Sequence, residues 1–212
     1  EAAVVMAENE LLDKKISSDD TKSSNGTTVD INRGVTGSKA IAMITSRSLL
    51  SSYITDHNLL PILFAADWDS KSESWHPRFW KEIPTVLAGY TKMADDLIKV
   101  TTDDETNLTT VNVLWTDPEL AKIWANGVVK KVNQILRKRA IDEAHKSLGY
   151  LDKELQVTRS IELQQSLYEL IKLEKARIVA ANVYEEYAFR IVDPAVTPEE
   201  PAIPNLTAIV LA

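Results

Sequence analysis

From Asp117 to Asn182 the chain runs 66 residues with one proline, Pro118, at the second position and two glycines, Gly127 and Gly149. The stretch is dense in Leu, Ile, Val, Ala, Glu, Lys, Arg and Gln, residues that lose little by becoming helical. Asp117-Pro118-Glu119 reads as a helix start: a capping carboxylate, a proline in the first turn, and an acid at the positive end of the helix dipole. Fully helical, the stretch would extend about 100 Å. That exceeds any ordinary globular helix and calls for a coiled coil, a hairpin or a rod.

The apolar pattern inside it predicts how it packs. Leu120, Trp124, Val128, Val132 and Ile135 recur at helical steps, and Ile141, Ala144, Leu148, Leu151 and Leu155 repeat a 3-4 rhythm like a coiled-coil seam. A step of six joins the two runs, so the seam is expected to shift there. Near the shift stand Lys130, Lys131, Arg137, Lys138 and Arg139. Asp142 and Glu143 lie one turn beyond Lys138 and Arg139 and pair part of that charge. The patch reads as a solvated helix face, with an anion-facing surface as the sharper alternative.

Strands are expected on both sides of this segment. Leu97–Thr102 and Thr109–Trp115 form one pair, with Val111, Val113 and Trp115 on one face and Asp103–Asn107 as the turn. Tyr187–Val192 alternates as a third strand, and Ala2–Met6 as a fourth. If the flanking strands share a sheet, the helical segment must leave and return. Thr158-Arg159-Ser160 is the best tip, with two hydroxyls to cap a helix beginning near Ile161, and Gly149 is the runner-up. Leu163, Leu167, Leu170, Ile171 and Ile178 would form the return seam.

The N-terminal half reads as mostly helical. Residues 13–34 are a polar loop. A helix runs from Ser38 toward Leu63, in two pieces that break near Thr45–Ser48, with a turn or new start at Pro61. Trp68, Trp75 and Trp80 fall in an irregular stretch; they are expected to fill core gaps under a loop, with stacking on sugar rings as the other option. A short helix covers Ile83–Met93. Beyond the last strand, Pro198, Pro201 and Pro204 describe a stiff extended connector.

Composition excludes several chemistries. The chain has no cysteine, which removes disulfides, zinc thiolates and cysteine nucleophiles, and its formal charge of -7 argues against a general nucleic-acid binder. His57, His76 and His145 are isolated, without a second ligand at metal-binding spacing. The acids of Asp103–Asn107 lack calcium-loop spacing. Gly34-Val-Thr-Gly37-Ser-Lys39 lacks the spacing of a phosphate loop, and no nucleophile elbow is present. Asn25, Asn107 and Asn205 sit in glycosylation sequons, which are common by chance. Neither a catalytic centre nor a cofactor is expected. The C-terminal Leu206–Ala212 reads either as a buried strand or as the first turns of a membrane helix.

Taken in order, these pieces resemble a known family. Ser46-Arg-Ser-Leu-Leu50, Asn58-Leu-Leu-Pro-Ile-Leu-Phe64, a Trp-rich loop and a hairpin lead to Thr116-Asp-Pro-Glu-Leu-Ala-Lys-Ile-Trp-Ala-Asn126. Val132-Asn133, Tyr150-Leu151, Leu155, Leu167-Tyr168 and Ala181-Asn182 follow. The exit is Tyr187-Ala-Phe-Arg-Ile-Val-Asp193-Pro194-Ala195 and the proline-rich connector. From about Ile31 onward this is similar to the periplasmic domain of the bacterial polysaccharide co-polymerases, the Wzz-type chain-length determinants. The most specific parts are the helix start with Asp117, Pro118, Glu119, Trp124 and Asn126, and the exit with Asp193, Pro194, Ala195, Pro198, Pro201 and Pro204; Asn133 is a further motif position. One departure is Leu206, where the family usually carries a basic residue.

The resemblance implies an α+β fold: a small mixed β-sheet base near the membrane, made of residues 1–116 and 183–205, with a protruding helical hairpin arm at 117–182. Residues 206–212 would begin a truncated transmembrane helix. It implies an inner-membrane protein whose periplasmic domain assembles into a homo-oligomeric ring. Such a protein works with a polysaccharide polymerase, and with lipid-linked glycan as a possible further partner, to set the modal length of O antigen or a related glycan. It has no catalytic activity of its own and no nucleic-acid partner. The rival is a helical-hairpin adaptor of an envelope export complex, which would need glycine-rich β halves; the chain has 6 glycines.

Overall fold

A computed structural model describes residues 2–8, 37–76 and 82–197. The polar loop at 13–34, Trp80, the sequons at Asn25 and Asn205, Pro198, Pro201, Pro204 and the apolar tail 206–212 lie outside the described residues. The fold is α+β: a small antiparallel sheet accompanies a mostly helical chain dominated by one long helix. Two compact units share it, one from residues 1–7, 41–131 and 191–212, the other from 8–40 and 132–190.

The strands are β1 (Ala2–Glu8), β2 (Trp68–Asp69), β3 (Ser74–Trp75), β4 (Ile98–Thr102), β5 (Thr109–Val113) and β6 (Phe189–Asp193). The four-stranded sheet has the order β4-β5-β1-β6. The pairings of β4 with β5 and of β1 with β5 are antiparallel, so the sheet expected as mixed is antiparallel there. Alternation fixes the register: Val4 faces Val111 and Met6 faces Thr109, and all four side chains are buried. A slip of one residue would turn this apolar row to solvent. The turn expected at Asp103–Asn107 is formed, held by Asp103 Oδ1 accepting from the Glu105 and Thr106 amides at 2.9 Å. Trp115 lies beyond the end of β5, so it does not extend that strand's face.

The helices are α1 (Gly37–Ile44), α2 (Arg47–Asp56), α3 (Leu60–Leu63), α4 (Val86–Thr91), α5 (Pro118–Val157) and α6 (Ile161–Val183). The expected break near Thr45–Ser48 separates α1 from α2, and Ser46 caps α2 by accepting from the Leu49 amide. A π-helical turn, Lys92–Leu97, follows α4. In the first unit α2 buries Leu49, Leu50, Tyr53 and Ile54. Gly89 of α4 lies so close that an added Cβ would sit 2.9 Å from Leu60 Cδ2 and 3.3 Å from Ile54 Cδ1. Gly127 of α5 has the same role toward α2, because a Cβ there would overlap the Tyr53 hydroxyl.

Burial pushes the Tyr53 phenol up to about 12. The unfolded chain releases this proton near the ordinary value of 10.0 while the folded chain holds it. Stability is therefore intact below pH 10 and falls as pH rises toward 12. Between those limits Tyr53→Phe should lose roughly 2 kcal/mol less stability than the parent. Chemical denaturation at stepped alkaline pH measures this; parallel losses would show that the phenol ionises freely in the fold.

Helix α5 spans 40 residues and α6 spans 23. Ser160 caps α6 by accepting from the Leu163 amide, which places the break at Thr158-Arg159-Ser160, and Gly149 lies inside α5. Half of the expected α5 seam is buried: Trp124, Val128, Val132, Ala144 and Leu151. Ala121, Ala125, Val129, Leu136 and Ala140 are buried beside them. Leu120, Ile135, Ile141, Leu148 and Leu155 are only partly buried. The stripe is two residues wide from Trp124 to Val129, and Leu136 and Ala140 carry it across the step of six. Alanines supply the close contacts that a search for large side chains passes over. On α6 Ile171 and Ala181 are buried, Leu167 and Ile178 are partly so, and Leu163 and Leu170 stay 59% and 40% exposed, outside the return seam. Arg177 of α6 reaches Glu143 of α5 at 3.1 Å.

Candidate functional site

The first turns of α5 hold most of the residues singled out in the sequence. Asp117 Oδ1 accepts from the Glu119 and Leu120 amides at 2.9 and 3.2 Å. This is the expected cap, with Pro118 opening the helix where no amide is needed. Trp124 is 2% exposed and packs on Trp115 with ring centroids 5.0 Å apart. The Lys92 ammonium donates to the Leu63 carbonyl at 2.7 Å and lies over the Phe64 and Trp115 rings at 5.1 and 5.7 Å. Nothing in the sequence marked Lys92, because its partners are a backbone carbonyl and two rings rather than an acid.

Two asparagines on α5 act as clamps. In the first unit Asn126 Nδ2 donates to the Ala195 carbonyl and its Oδ1 accepts from the Ala195 amide, both at 3.1 Å. In the second unit Asn133 Oδ1 accepts from the Ala188 and Phe189 amides at 2.8 Å, and its Nδ2 donates to the Phe189 carbonyl at 2.9 Å. An amide side chain is the one neutral group that matches a peptide's donor and acceptor together. Asn126 and Asn133 are seven residues apart, two helical turns on one face. The helix-start motif thus grips the exit segment on both sides of Asp193 and Pro194, which are exposed. Near Ala195, Glu119 accepts from the Thr197 hydroxyl and from Lys122 at 3.1 Å. The Thr197 bond first, then Lys122, lowers the Glu119 carboxyl below its ordinary value.

The basic patch does not act as one cluster. Lys131 is ion-paired with Asp56 at 2.6 Å, and this bond, followed by one from Ser52, lowers the Asp56 carboxyl. Lys130, Lys138 and Arg139 are exposed and Arg137 is half-buried. His57 packs on Tyr53 at 4.5 Å and His145 is exposed. Among the described residues no group of three His, Cys, Asp or Glu could hold a metal.

The β2–β3 hairpin carries a serine–histidine contact. Asp69 accepts from Ser72 at 2.7 Å, Ser72 contacts Ser74 at 2.7 Å, and Ser74 contacts His76 Nε2 at 2.8 Å. The Asp69 carboxyl is lowered, chiefly by the Ser72 bond, and a carboxylate only accepts. The chain therefore runs one way: His76 Nε2–H donates to Ser74, Ser74 to Ser72, and Ser72 to Asp69. A nucleophilic serine needs the opposite polarity, with the imidazole accepting. Trp68 and Trp75 pair across this hairpin, centroids 4.8 Å apart, and are only partly buried. They pack on each other instead of filling the core.

No family model and no curated protein matches this chain. Among the described residues no helix is long and apolar enough to cross a membrane. The asparagine clamps had one local signal: Asn133 falls beside Val129, Val132 and Leu136 on a buried stripe, where a polar side chain must be satisfied.

Proposed function

We propose that this chain is the periplasmic part of a non-catalytic regulator that sets the modal length of a lipopolysaccharide O antigen or related surface polysaccharide. It acts as an inner-membrane ring of identical subunits beside a polymerase. The observation that carries this reading is the pair of asparagine clamps. The resemblance rests on a helix-start motif and an exit motif separated by some 60 residues. Asn126 of the first binds the backbone at Ala195 of the second, and Asn133, seven residues further along the same helix, binds it at Phe189. An α+β fold with a long helix folded back at Ser160 supports it further.

The test is a polymer ladder. In cells lacking their own length regulator, the full-length protein should convert a featureless distribution of glycan lengths into one with a preferred size. An unchanged ladder in the presence of abundant membrane-inserted protein would reject the reading.

A further inference from the structure

Helices α2 and α4 pack tightly where Gly89 meets Ile54. Toward their first turns a cleft of about 580 Å³ opens between them, lined by Arg47, Ser48, Ser51, Val86 and Leu87. Its two walls differ in chemistry. On the α2 wall stand a guanidinium and two hydroxyls. Among the described residues none of the three has a hydrogen-bond or ion-pair partner. On the α4 wall Val86 is half-buried and Leu87 is 50% exposed.

A guanidinium fork beside two free hydroxyls is suited to the oxygens of a phosphate. A facing valine and leucine are suited to a hydrocarbon chain and contribute nothing to a free inorganic ion. We infer that the cleft binds the phosphate of an alkyl or prenyl phosphate ester, with Arg47, Ser48 and Ser51 on the phosphate and Val86 and Leu87 on the first carbons of the chain. The physiological source rests on the proposed function: a lipid-linked glycan carries this group at the junction of lipid and sugar. The other source of the same chemistry is a phospholipid headgroup.

The probe is dodecyl phosphate below its micelle concentration, titrated into the 212-residue chain and followed by amide chemical shifts. Saturable shifts confined to the α2 and α4 residues of the cleft are expected. Arg47→Gln should weaken binding roughly tenfold or more, with Arg47→Lys between. Leu87→Ser should weaken dodecyl phosphate and leave inorganic phosphate unaffected. Both side chains are exposed, and circular dichroism checks that the fold persists. Equal binding of neutral dodecyl maltoside, or unchanged affinity in Arg47→Gln, overturns the proposal.

Farnesyl diphosphate and phosphatidylglycerol vesicles separate the sources. Tighter binding of the diphosphate favours the glycan carrier, and tighter binding of the vesicles overturns that assignment. The ladder reports independently. A shifted ladder without alkyl phosphate binding removes this site and leaves length regulation standing; binding without any effect on the ladder does the reverse.

Discussion

Replacing Asn133 with leucine should cost about 3–5 kcal/mol of stability, the largest loss expected from any single near-isosteric change in this chain. Leucine fills a similar volume, so the loss is not a cavity effect. It comes from three backbone groups. The Ala188 and Phe189 amides and the Phe189 carbonyl bond to Asn133, which is 3% exposed. Each orphaned group costs about 1–3 kcal/mol if it stays dry. Strand β6 is at the edge of the sheet beside β1, and Asn133 gives Phe189 the hydrogen bonds that a further strand would have given. Asn126→Leu is the comparison. Its Ala195 bonds are longer, 3.1 Å, and only part-buried, so water can replace them; about 1 kcal/mol is expected. Equilibrium denaturation of both variants measures the difference. Equal losses would mean that Asn133 is no better sealed from water than Asn126.

The same contrast explains how far the sequence could be read. The long helix, its proline start, its break at Thr158-Arg159-Ser160 and its return as α6 were legible because capping and breaker chemistry is local. The paired strands were legible because alternation at Val111 and Val113 is local too. The seams were less so. Burial at Ala121, Ala125 and Ala140 depends on how closely another backbone approaches, and alanine itself carries no such signal. Leu163 and Leu170 looked like core by type, yet a 23-residue helix turns only part of its surface to its partner. Trp68 and Trp75 misled for the same reason, since a large aromatic can stack on its own neighbour across a hairpin. Asn126 was marked by family likeness alone, and Asn133 also by its place on an apolar stripe; their partners lie 55 or more positions away, out of reach of local patterning. The Arg47 cleft had no sequence signal, because its walls come from two helices joined only by packing.

Leu151→Asp is expected to have the largest effect on function. Leu151 is 9% exposed on the last third of α5, in the unit where Arg177 of α6 also reaches α5. A carboxylate in this nearly buried position would lose its hydration, at a cost of several kcal/mol if it stays buried. The strain falls on the packing of α5 with α6. The register of β1, β4 and β5 depends on other residues and should survive. If the helical hairpin sets glycan length without catalysing its synthesis, cells carrying Leu151→Asp should still make polymer, with the preferred length moved or blurred. Neutralising Arg137, Lys138 and Arg139 together tests a different term. Those side chains are at least partly exposed, so stability should change little, and the ladder should move only if they meet phosphate or acidic sugar. Polymer ladders on a gel decide both. Loss of all polymer in Leu151→Asp cells, with the variant protein still abundant and oligomeric, would make the chain part of the synthetic machinery and overturn its reading as a length regulator.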